Sequence, residues 1–169
     1  MWHGAFIALH ALAGVIAFGT GCDAVVRRRS IAVFWWSLVA MVVFLALAVG
    51  VEWSSLDAVS RGLFTGLLGL GGWMVWRASA ARRMLRHGPR AGDEHGRRYV
   101  GHVAFDLVAL FDAFVVVTVL NSGAPGWTTA LAGIAVGGAG HVVVGDVRRR
   151  FALRSAVSER GQPAEPAVA

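Results

Sequence analysis

The chain has 169 residues, of which 56% are hydrophobic and only 15% charged, with a mean hydropathy of +0.61. A water-soluble domain this apolar would expose more greasy surface than it could bury, so composition excludes that class and points to an all-α integral membrane protein. All sixteen basic residues are arginine and the net charge is +6, but the arginines cluster beside apolar runs, which fits membrane topology and argues against nucleic-acid binding.

Five apolar segments follow one another, at about 3–22, 31–51, 58–76, 99–120 and 127–147, each long enough to cross a hydrocarbon core of about 30 Å as a helix. The connections at 22–30 and 77–98 and the tail after 147 are rich in arginine. The turns EWSSLD (52–57) and NSGAPG (121–126) contain none. This alternation predicts a five-helix bundle with its N-terminus outside and its C-terminus in the cytoplasm. Trp2, Trp53, Trp76, Tyr99 and Trp127 fall at predicted span ends, where amphipathic rings favour the headgroup zone. Arginine without lysine, with abundant Ala, Gly and Val, is the usage of a GC-rich bacterial genome and hence of a bacterial plasma (inner) membrane.

Cys22 is the single cysteine, so an intrachain disulfide and a CxxC metal site are excluded. No arginine precedes residue 27, which argues against a cleaved signal peptide, and the first helix is expected to be retained. Residues 1–150 read as the membrane domain and 151–169 as a disordered cytoplasmic tail. Asp57 and Arg61, one helical turn apart, read as a local salt bridge.

Small residues mark the expected packing faces: Gly14 on the first helix, Gly62-x-x-x-Gly66 on the third and Gly133-x-x-x-Gly137 on the fifth. The second helix has no ionisable group inside its span, so the core is expected from helices one, three, four and five, with two at the periphery. The fourth segment, YVGHVAFDLVALFDAFVVVTVL, is the unusual one, because it carries His102, Asp106 and Asp112 within an apolar run. Ionised carboxylates at that depth cost at least about 2.5–3.5 kcal/mol each unless they face protein or water. A short turn near 123–124 would set Asp106 level with His141 and His102 level with Asp146. His10 and Asp112 would share a depth toward the outer face.

These His/Asp groups support three expectations. They could handle protons or small cations, since His titrates near neutrality and carboxylates relay protons in membrane proteins. His10, His102 and His141 could instead ligate a b-type haem, although each His is expected across from an Asp and not from another His. Or the chain could be a non-catalytic subunit or assembly factor, joining a membrane partner or a second copy through its glycine faces. Anionic headgroups are the expected partners of the arginine-rich loops. No Walker loop, HExxH, GxSxG or dinucleotide fingerprint is present, and no metal site can be assigned.

Overall fold

The computed structural model describes residues 2–86, 93–123 and 126–160. Its elements are α1 (Trp2–Arg27), α2 (Ile31–Glu52), α3 (Ala58–Arg86), α4 (Asp93–Asn121) and α5 (Gly126–Arg160), with no strand among the described residues. Three stretches are long and apolar enough to cross a membrane: Trp2–Arg27, Ile31–Glu52 and Arg98–Val119. Segments 58–76 and 127–147 are helical as expected but less apolar. Five glycines between 62 and 72 dilute α3, and the apolar part of α5 is the shorter Leu131–Asp146. Helix α5 runs on to Arg160, so residues 151–160 of the predicted tail are helical, and 161–169 lie outside the described residues.

The short connections are built from specific caps. Helix α1 stops where Arg28 turns left-handed (φ 57°), its N–H closing on the Ala24 carbonyl at 3.1 Å. The Ser30 hydroxyl donates back to the Asp23 carboxylate, and the Ser30 carbonyl accepts the Phe34 N–H at 2.9 Å to start α2. At the opposite end Asp57 caps α3, accepting the Ser60 N–H at 2.7 Å. The expected Asp57–Arg61 salt bridge does not form. Arg61 lies over the Trp53 ring and donates to the carbonyls of Trp53 (3.2 Å) and Ser54 (3.4 Å). The carboxylate goes to the unpaired N–H groups that open α3, and the guanidinium goes to the carbonyls that follow α2.

Helices α1 to α4 form a closed ring, each packing on the next and α4 returning to α1, while among the described residues α5 packs on α4 alone. The centre is small against large. Ala13, Ala17, Gly21 and Ala24 of α1 face Phe34, Leu38 and Met41 of α2, joined by Met74, Ala78 and Ala81 of α3 and Tyr99, Val100 and Val103 of α4. Helix α2 is therefore central, which corrects its expected place at the periphery, and α5 takes the outer position. Lack of charge does not send a helix outward when its bulky side chains are what fill the hollows along an Ala/Gly-lined neighbour.

The glycines that matter also differ from the expected motifs. A Cβ on Gly62, Gly66 or Gly137 would meet nothing within 4 Å, so the α3 motif forms no helix contact among the described residues and the α5 motif packs through Gly133 alone. Gly14 touches the Met41 sulfur at 3.6 Å, and Gly133 faces Val116 at 3.4 Å. The close approaches are at Gly21, Gly71 and Gly140, against Phe34 and Leu107, against Val42, and against Val108 respectively.

Three outcomes follow for stability in nanodiscs. Gly21→Ala should destabilise by about 1–3 kcal/mol, because the new methyl would sit 2.8 Å from the fully buried Phe34 ring; Gly66→Ala should be neutral or stabilising by up to about 1 kcal/mol. Asp57→Ala should lower the melting temperature at neutral pH. The Ser60 N–H holds the Asp57 carboxyl below its ordinary value of 3.8, so the cap is fully present above that value and is lost as pH falls through the lower folded-state value. Melting curves of wild type and variant should therefore converge in acid.

Candidate functional site

Tyr99, Val103 and Asp106 follow one another at helical spacing down the face of α4 that enters the ring. The Tyr99 hydroxyl donates to the Ala24 carbonyl at 2.8 Å, and the Arg28 guanidinium lies 5.7 Å from the centre of the same ring. That bond ties the Arg-rich end of α4 to the end of α1. Deeper in, Leu107 meets Gly21 and the Phe111 ring lies 6.3 Å from Phe18, so α4 runs antiparallel to α1 with Asp106 turned into the core.

Asp106 is completely buried, and neither carboxylate oxygen has a hydrogen-bond partner. Arg77 of α3 is the charge that acts on it. The guanidinium is placed from both sides by α4: Nη2 donates to the Gly101 carbonyl at 2.8 Å, and the Phe105 ring lies 4.5 Å from its centre. In the sequence Arg77 reads as the first cation of a cytoplasmic loop. It becomes part of the site because α3 continues to Arg86, so that Arg77 stands within the helix and its guanidinium reaches the Gly101 carbonyl of α4. The signal available was the unbroken helical composition of 73–86, which contains neither Gly nor Pro.

The Asp106–His141 and His10–Asp112 couples are placed differently from expectation. The register along α4 and α5 is close to expectation, with Gly140 opposite Val108 and Gly133 opposite Val116. Rotation is what separates the groups. If Val108 faces α5, then Asp106, two residues away, points to the other side of the helix. His141 is accordingly exposed on α5, and no Asp106–His141 pair forms. Asp112, one turn beyond Val108, does face α5; its Oδ1 is shielded without a hydrogen-bond partner, 3.6 Å from the position a Gly133 Cβ would take. His10 does not reach Asp112, and its Nδ1 donates instead to the Met41 carbonyl at 2.8 Å. His102 is half-buried on α4, and Asp146 is exposed on α5.

Among the described residues no three His, Cys, Asp or Glu side chains come together as a metal site would require. His10 is not placed to share a haem with His102 or His141. His10 is committed to α2 and His141 lies on α5, which does not touch α1. Since Gly21 is level with Leu107, His10 and His102 lie at opposite ends of the α1–α4 contact. Axial ligands need to oppose one another across the macrocycle.

Compared with family models, curated proteins and solved structures, the chain matches none.

A double-mutant cycle checks this geometry. Asp106→Leu combined with His141→Leu should show coupling below about 0.5 kcal/mol, as expected for groups that share no partner. Asp106→Leu combined with Arg77→Leu should couple by more than that in the same unfolding assay, because removing one member changes the electrostatic surroundings of the other.

Proposed function

We propose that the chain is a five-span protein of a bacterial plasma membrane, with its N-terminus outside and its C-terminus in the cytoplasm, and that its polar core handles protons or small cations. Asp106 is the group that takes up and releases the proton, and Arg77 is its fixed counter-charge. The observation that carries this reading is a fully buried carboxylate with neither oxygen hydrogen-bonded. Buried polar groups kept for structure alone are nearly always satisfied, and intramembrane carboxylates that are not mark sites of function. The Arg77 charge favours a proton over a metal ion, because a second cation beside Asp106 would meet the guanidinium's repulsion.

Support for the topology comes from the arginine distribution, now with its ends assigned to helices. Arg27, Arg28, Arg29, Arg82 and Arg83 gather at the end where the ring is tightest, and Trp35, under the Arg82 guanidinium at 5.0 Å, donates to the Ser79 hydroxyl at 2.7 Å. That end is the cytoplasmic one in this reading, and anionic headgroups are its natural partners. A second reading, a non-catalytic subunit or homo-oligomer, draws on the open face of α3, where Gly62, Gly66 and Gly69 meet nothing in their own chain.

Reconstitution in liposomes with an internal pH dye tests the proposal. Under an imposed pH gradient, wild-type protein should pass protons above the empty-liposome rate, and Asp106→Asn should cut that excess at least tenfold while the fold is retained. His141→Leu should leave it intact. No excess flux from wild type would remove the proton reading and leave the subunit reading standing.

A further inference from the structure

At the end opposite the arginine cluster, α1, α2 and α3 leave a cleft of about 270 Å³ lined by His3, Ile7, Ala48, Val49, Glu52, Leu56 and Phe64. Its walls are apolar, and among the described residues its ionisable side chains are His3 and Glu52. The His3 Nδ1 lies 3.2 Å from the Ala48 carbonyl. A carbonyl can only accept, so Nδ1 donates to it, and the lone pair of the ring's neutral form falls at Nε2. The same Ala48 carbonyl accepts the N–H of Glu52 within α2, which sets the Glu52 side chain one helical turn from the imidazole. Among the described residues Glu52 forms no salt bridge; its carboxylate has a hydrogen bond from the Ser55 hydroxyl at 2.9 Å. The one arginine at this end, Arg61, is turned to the Trp53 and Ser54 carbonyls.

An apolar cleft lined by one carboxylate and one imidazole selects a ligand that is cationic, rich in donors and attached to a small apolar body. We propose that this cleft binds a small organic primary ammonium. Its N–H groups meet the Glu52 carboxylate and His3 Nε2, and its apolar part lies against Ile7, Val49, Leu56 and Phe64. The Phe64 ring adds a face that attracts a cation. At about 30 Å³ for each water-sized group, the cleft holds a ligand of roughly nine heavy atoms. The site is separate from Asp106 and stands whether or not that carboxyl moves protons.

Titration calorimetry of the full chain in nanodiscs, with phenethylamine as the probe and ethylbenzene as its uncharged analogue, tests the assignment. Wild type should bind phenethylamine with a Kd of millimolar or tighter and should ignore ethylbenzene. Glu52→Gln should weaken binding at least tenfold. Leu56→Trp, which fills the cleft and leaves both polar groups in place, should abolish it, so the inference survives if the first variant fails to fold. Equal affinity in Glu52→Gln, equal affinity for ethylbenzene, or no binding by wild type would overturn it. So would binding of zinc ion at this site without binding of the amine.

Discussion

Gly21 is the point on which the ring closes. Its missing side chain admits the Phe34 ring from α2 and Leu107 from α4, both 2.8 Å from where a Cβ would stand. In lipid, helices gain nothing from hiding apolar surface from one another, so association rests on close contact and dispersion. One glycine serving two neighbours makes α1 the spine of the assembly. It fixes the depth at which α2 and α4 each meet α1 and thereby helps set the direction in which Asp106 points.

From that constraint the division of the molecule follows. The core residues of α3 and α4, Met74, Ala78 and Ala81 with Tyr99, Val100, Val103 and Asp106, all lie toward the Arg-rich end. Toward the other end α3 presents bare glycine, and α4 leans on α5, with Phe114 and Val117 left exposed. The ring is thus tight where Arg77 and Asp106 sit. Tyr99 and Arg77 both reach across a helix boundary to a backbone carbonyl there, and each bond helps hold α4 in the rotation that buries the carboxylate.

Helix existence, the positions of the connections and the antiparallel register of α4 on α5 were all legible in the sequence, because each depends on quantities that add along the chain: hydropathy, turn residues and rise per residue. Rotation about the helix axis was not. Asp106 and His141 were placed at one depth, yet depth does not say which face a residue occupies, and the side chain that met α5 was Val108. Glycine spacing misled for the same reason. Gly62 and Gly66 match the motif as well as any pair, but Gly21, Gly71 and Gly140 are the ones opposite bulky side chains, a property of the neighbour that the glycine's own sequence does not carry.

Histidine and aspartate also obey different rules inside such a bundle, which explains why the expected Asp106–His141 and His10–Asp112 couples gave way. In a helix every interior N–H is already used, whereas each carbonyl oxygen has a second lone pair. Side chains that donate can therefore be satisfied by any neighbouring backbone. His3 and His10 take the Ala48 and Met41 carbonyls, Tyr99 takes Ala24, and Arg77 takes Gly101. A carboxylate only accepts, and a helical backbone offers it nothing. It must find a side-chain donor or bring a donor of its own in the form of a proton. Asp57 escapes the problem by standing at a helix start, where N–H groups are still open. Asp106 stands mid-helix, where none are. His10, which looks more like chemistry in the sequence, has a donor bond that suffices to explain it as a clasp between α1 and α2, and in the ring the burden of function falls on the carboxylate for which the backbone has no answer.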